Sequence, residues 1–491
     1  MSPAGPNVVV VVLDTARYAD VRTTVDGTQT TPFLNELAST GTSFEAAYTP
    51  VPWTLPAHAS LFTGTYPSKH GAHAGHKHLS DELTTIAELF AAAGYSTVAV
   101  SNNTWISEEF GFGRGFETFH KTWQYVQNDV DLGSVAREYE GMAKLRELAA
   151  AMFEGNPVLN LANAVYGQFL RNATDNGARK TNRWIRSWLR DRRGADPFFL
   201  FVNYLEPHLP YRPPREHAAQ FLPDGTTYEE AMDVSQDAWA YLAGKTSHSE
   251  RDFEALRALY RGELSYVDQR VRELKETLVR AGAWDDTVLV VTGDHGENIG
   301  DHGLMDHQYC LYETLTHVPL LACGGPFSDG ESVRDRVQLT DVGPTLAELA
   351  GLDEDDVCDQ FQGRSFHPDT AADTRKLVFG EYLSPQPSME ALEKRVGPLS
   401  DEVFRYDRSL RMVRDARYKL VRGSDGSREL YEVTTDPDEK SNVVDELPDV
   451  AERLEGTLEA WLGSFDHAET DGDVSISDET AERLEDLGYL H

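Results

Sequence analysis

The chain has 491 residues, enough for one large catalytic domain plus a smaller one, with 40% hydrophobic and 10% aromatic content that argues against disorder. Its 81 acidic against 45 basic residues give a formal charge of −36, which excludes a basic nucleic-acid surface and suits a solvated surface adapted to high salt. Three cysteines (Cys310, Cys323, Cys358) are too few for a disulfide framework, and no apolar run approaches a membrane span. A cytoplasmic protein is therefore expected.

In chain order, Val8–Leu13 is apolar throughout and β-branched at all but the last position, the texture of a strand buried on both faces. Thr31–Ser39 and Leu83–Ala93 read as helices, Ser96–Val100, Phe198–Asn203 and Thr287–Thr292 as strands. Between about Asp129 and Arg192 an Ala-, Leu-, Arg- and Glu-rich stretch predicts a helical insertion. Tyr260, Leu264, Val267, Val271, Leu274 and Leu278 step by four and three along one helical face. After about residue 375 the pattern changes to short strands (Lys376–Gly380, Leu410–Arg414, Tyr418–Val421, Glu429–Glu432), then a helix over Asp449–Phe465, then an acidic tail from Asp466 with a short helix. The fold class expected is α/β, a large mostly parallel sheet flanked by helices over 1–375, with a smaller α+β domain over 376–465. In such sheets ligands bind at the carboxyl ends of the strands.

Two segments carry the chemistry. Trp53-Thr54-Leu55-Pro56-Ala57-His58 offers a hydroxyl just before a proline, and Gly293-Asp294-His295-Gly296-Glu297 offers an Asp-His pair where a buried strand ends. With Asp14, which closes the first strand, they can deliver two carboxylates, a hydroxyl and an imidazole to one point. That set suits one divalent metal, Mn²⁺ or Zn²⁺ ahead of Ca²⁺ or Mg²⁺, and an activated hydroxyl nucleophile. Thr54 also suits an N-cap of the following helix, and Asp14 a turn. Four histidines at 70, 73, 76 and 78 invite a zinc reading, but no cysteine partner lies nearby.

These motifs resemble the sulfatase family of the alkaline-phosphatase superfamily. The resemblance rests on Asp14, Thr54-x-Pro-x-His-Ala-Ser-Leu-Phe-Thr-Gly, Gly94-Tyr95-Ser96-Thr97, Glu206-Pro207-His208-x-Pro-Tyr, Gly293-Asp294-His295-Gly296, Leu311-Tyr312-Glu313, Thr340-Asp341-x-x-Pro344-Thr345 and Arg417-Tyr418-Lys419-Leu420, all in family order. The departures are equally specific. Thr54 and His58 stand where the family carries Cys or Ser and Arg, so formylglycine cannot form; Thr15 stands at the second acidic ligand, and Asn102 and His307 at the lysines. In its metal site the chain is similar to lipoteichoic-acid synthases and phosphoethanolamine transferases, which use a metal-bound threonine with an Asp-His pair.

Carried over by position, the resemblance implies Asp14, Thr54, Asp294 and His295 as metal ligands, with Thr54, His58, Asn102, His208 and His307 in catalysis. It implies a metal-dependent hydrolase of small-molecule or glycan sulfate or phosphate esters. Phosphoesters are favoured because a threonine ester must be cleared by water at phosphorus or sulfur. A phospho-alcohol transferase and a non-catalytic binding protein of the same fold are the alternatives.

Overall fold

The computed structural model describes residues 5–123, 177–194, 196–352, 356–370 and 375–470. The greater part of the predicted insertion (129–176) and most of the acidic tail (471–491) lie outside the described residues.

The main sheet comprises β1 (Asn7–Leu13), β2 (Thr42–Tyr48), β3 (Ser96–Ser101), β4 (Thr118–Lys121), β5 (Phe198–Tyr204), β6 (Thr287–Gly293), β7 (Leu320–Cys323) and β8 (Glu331–Gln338). Their spatial order is β8-β2-β7-β6-β1-β5-β3-β4. Only β7 runs against the others; it pairs antiparallel with both β2 and β6. The centre, β6-β1-β5, is buried at every position from Val8 to Leu13, Phe198 to Tyr204 and Thr287 to Gly293. This is why these strands read as continuous apolar runs: covered on both faces, they have no solvent side on which to alternate. Each apolar side chain there contributes about 1.5–3 kcal/mol over its exposed state.

The flanking helices are α1 (Pro32–Ala38), α2 (Thr54–Thr63), α3 (Ile86–Ala92), α4 (Ala178–Asp191), α5 (Glu250–Arg280) and α6 (Val342–Leu349). The stripe from Tyr260 to Leu278 is the buried face of α5. The C-terminal part is an antiparallel sheet of β9 (Val378–Tyr382), β10 (Leu410–Arg414), β11 (Tyr418–Gly423) and β12 (Arg428–Glu432), covered by α7 (Pro448–Leu462). Leu454 and Leu458 of α7 pack with Val413, Leu420 and Leu430. No helix among the described residues is long and apolar enough to cross a membrane.

A buried ionic knot ties the two sheets together. Lys419 of β11, fully buried, reaches Glu439 Oε1 at 2.8 Å and Glu313 Oε1 at 3.4 Å, and Arg414 Nε reaches Glu313 Oε1 at 3.2 Å. Burial disfavours the Glu313 charge, yet Lys419 and Arg414 outweigh it and hold that carboxyl at about 2.

The four loop histidines do not converge on a metal. His70 is buried, its Nε2 3.0 Å from Ser60 Oγ, while its Nδ1 accepts the Ala72 N–H at 3.1 Å; His73 and His76 instead bond each other through their backbones. Burial, aided by His73, depresses the His70 pKa to about 3. Because the folded value lies below the unfolded value near 6.5, its contribution is complete above that pH and is lost as pH falls through the window from 6.5 to 3. Acidifying from pH 7.5 to 5 should cost His70 about 2 kcal/mol of stability. Urea unfolding of wild type and His70→Gln at both pH values tests this. The variant should lose less on acidification, and an unchanged loss would rule His70 out as the sensor.

Candidate active site

The site forms where β1, β6, β5 and β3 end side by side. Leu13 pairs with Gly293 and with Tyr204, and Ser101 with Asn203, so the next residues of all four strands emerge at one level. Asp14 and Asp294 are the first residues beyond β1 and β6. The chain after Asp14 turns through Thr15, whose φ is +61°. Its amide donates to Asp294 Oδ1 at 3.1 Å, and its carbonyl accepts from the Tyr260 hydroxyl of α5 at 2.7 Å. The apolar stripe of α5 thus also supplies the post that holds this turn.

Thr54 is the first residue of α2. The sequence allowed it to cap that helix; instead Trp53 occupies the cap position without a side-chain bond, and the Thr54 hydroxyl points to His295 Nε2 at 3.2 Å. His295 Nδ1 lies 2.9 Å from the Gly296 carbonyl, which can only accept, so Nδ1 carries the proton and Nε2 presents its lone pair. That lone pair faces Asp294 Oδ2 at 3.4 Å and Asp14 Oδ1 at 3.9 Å. Neither of those two buried carboxylate oxygens has a hydrogen-bond donor. Two orphaned anionic oxygens, an imidazole lone pair and a hydroxyl form a donor set that fits a divalent cation.

The electrostatics agree. Burial, reinforced by Asp294, pushes the Asp14 carboxyl well above its usual range, and burial raises Asp294 against the pull of His58. Burial and the neighbouring His307 hold His295 well below the usual imidazole value, so it is neutral.

The remaining predicted residues divide. His58, one turn along α2, donates from Nδ1 to the Thr54 carbonyl at 2.9 Å, and the same nitrogen is 3.6 Å from Asp294 Oδ2; its ring stands edge-on to Phe112 and Phe201. It braces the first turn of α2 from behind. The His307 ring is 4.4 Å from that of His295 and 5.2 Å from that of His208, so both lie at the site. Burial, then His307, takes His208 down to about 3. Burial opposes a charge on His307 too, but Asp306 and Glu297 outweigh it and raise its pKa well above the usual value.

Asn102 is the exception. Its side-chain carbonyl accepts from Thr122 Oγ1 at 2.9 Å and Thr181 Oγ1 at 2.8 Å, which ties β3 to α4 rather than to the site. Its neighbour Asn103 donates to Asp14 Oδ2 at 2.6 Å. Arg17 does not enter the centre either; it pairs with Asp20 and with Asp301 at 2.9 Å and so anchors the loop after β6.

Two more residues escaped the sequence reading. Asp306, through His307 Nδ1 at 2.5 Å, and Glu297, 3.5 Å from the same nitrogen, form a second buried group with His307. The signal was the recurrence of the dipeptide Asp-His at 294, 301 and 306, of which only the first was used. The loop bearing this group passes through left-handed backbone at His302, Asp306 and Tyr309.

Arylsulfatase K from Bos taurus is 22% identical to this chain over 488 residues, covering 94% of the chain and 82% of its own length. Choline-sulfatase from Rhizobium meliloti is 26% identical over 446 residues, covering 84% and 77%. The crystal structure of a phosphonate monoester hydrolase from Agrobacterium radiobacter has the same fold, with a TM-score of 0.66 at 21% identity, covering 93% of this chain and 95% of that one. The sulfatase family model matches residues 6–352, which hold Asp14, Thr54, His208 and the Asp294-His295 pair alike: the chain belongs to the sulfatase family of ester hydrolases.

Proposed function

We propose that the chain hydrolyses phosphoesters ahead of sulfate esters, with Thr54 as nucleophile and one divalent cation held by Asp14, Thr54, Asp294 and His295. The observation that carries this reading is the Thr54 hydroxyl, left free of capping and set 3.2 Å from the His295 lone pair beside two orphaned carboxylate oxygens. Bound there, a divalent cation would lower the hydroxyl's pKa and screen the charge of the ester.

Thr54 Oγ1 then attacks phosphorus or sulfur, forms the threonine ester and expels the alcohol. His307, beside His295, and His208, beside His307, would stand near the ester's other oxygens. The second step favours phosphorus. A threonine ester has no hemiacetal through which to eliminate, so water must displace Thr54 at the central atom, and phospho-ester intermediates allow that displacement. Asn103, bonded to Asp14, keeps that carboxylate in place; Asn102 takes no part.

Paired aryl sulfate, phosphate, phosphonate monoester and phosphodiester substrates, assayed with Mn²⁺ in high salt, test the preference. The kcat/KM for a phosphorus ester should exceed that for the sulfate by about tenfold or more. A sulfate preference would return the protein to sulfate chemistry without formylglycine, and absence of any turnover would defeat the hydrolase reading.

A further inference from the structure

Glu297 is fully buried, and neither of its carboxylate oxygens makes a hydrogen bond. Asp306, 8% exposed, and His307, fully buried, each bring a ligand atom within 4.8 Å of one from Glu297. Two carboxylates and an imidazole in one buried group suit Zn²⁺ or Mn²⁺. A carboxylate in such a place needs a counter-charge or a proton, since burying it bare costs far more than a lost hydrogen bond.

The charge balance of the whole basin sharpens the point. Asp14, Asp294, Glu297 and Asp306 are four buried carboxylates. One divalent cation at Asp14 and Asp294 neutralises two of them. A net negative charge would remain where an anionic ester must bind, and would repel it. A second divalent cation beside Glu297 and Asp306 would neutralise the other two. The two groups adjoin, because the rings of His295 and His307 are 4.4 Å apart, and adjacent cations clamp the attacking and leaving oxygens of a displacement.

We propose that Glu297, Asp306 and His307 hold a second divalent cation beside the one at Asp14, Thr54, Asp294 and His295. Its catalytic meaning rests on the reading of the first site, but its existence does not, and counting ions separates the two.

The full-length protein, stripped by chelation, reloaded with Mn²⁺ and desalted, should carry two ions per chain by elemental analysis. Glu297→Gln/Asp306→Asn should carry one, and so should Asp14→Asn/Asp294→Asn. The electron paramagnetic resonance spectrum of the loaded wild type should show a coupled Mn²⁺ pair, broadened relative to the isolated six-line signal of either variant. This reading needs only the wild type, so it stands even if a variant fails to fold. One ion per chain in the wild type, lost in Asp14→Asn/Asp294→Asn and kept in Glu297→Gln/Asp306→Asn, would overturn the second site and leave the first. Two ions kept by Glu297→Gln/Asp306→Asn would overturn it as well. One ion per chain in the wild type, lost in Glu297→Gln/Asp306→Asn and kept in Asp14→Asn/Asp294→Asn, would defeat the first site and leave this one.

Discussion

Thr54→Ala is expected to lower kcat on phosphoesters by about three orders of magnitude or more while KM stays within a few-fold. The expectation follows from the placement of the hydroxyl. It is fully buried at the first position of α2, and its hydrogen bond runs to His295 Nε2 at 3.2 Å rather than to the helix. Alanine is a good helix former, so α2 and the packing of His58 behind it should survive. Without Oγ1 the ester must be attacked directly by water, which lacks both the position and the depressed pKa. Thr54→Ser keeps the oxygen and should retain activity within about tenfold of wild type. The measurement is steady-state kinetics with the metal content of each variant checked. If Thr54→Ala turned over within tenfold of wild type with metal bound, the nucleophile would have to be water.

Lys419→Ala should be the most destabilising single change outside the core, at about 3–5 kcal/mol. Lys419 is wholly buried between Glu313 and Glu439, and its removal strands the buried Glu439 carboxylate while leaving Glu313 to Arg414. The damage should be felt at the junction of the two sheets, because Glu313 precedes β7 of the catalytic sheet while Lys419 lies on β11. Removing the stranded charge as well should repair part of the loss, so Lys419→Met/Glu439→Gln should be more stable than Lys419→Met alone. Denaturant midpoints at fixed salt measure both. A loss below about 1 kcal/mol for Lys419→Ala would place the knot among the weak surface pairs.

The sequence made the buried parts of this molecule readable and hid the edges. β1, β5 and β6 stood out because burial on both faces leaves a continuous apolar run, and α5 because a helix on a sheet must show one apolar face. β8, reading Glu-Ser-Val-Arg-Asp-Arg-Val-Gln, is an edge strand largely exposed along its first half, and β4, at the other edge, has four residues; β7 is interior and buried, but its four residues are too few to show a strand pattern. Within the site, Asp14, Asp294 and His295 were legible because they end apolar runs. Asn102 and Asn103 could not be told apart by spacing alone. Successive residues past a strand end point to opposite sides, and which side faces the site is a tertiary fact. Glu297 was obscured for a different reason: acidic residues are so common in this chain that one more carried no signal, whereas Asp306 was marked only by the repeated Asp-His dipeptide.

The loop that bears Asp306 and His307 has one more consequence. Left-handed backbone costs a residue with a side chain roughly 1–2 kcal/mol, and His302, Asp306 and Tyr309 all adopt it within eight residues. Sheet pairing in this loop is limited to two residues on each side, Asn298–Ile299 against Met305–Asp306, so the conformation is imposed by tertiary contacts such as Tyr309 to the Pro387 carbonyl. Selection for thermal robustness alone would relax His302 and Tyr309 toward glycine or asparagine. At Asp306 the proposed cation would pull the other way, setting durability against function at one residue.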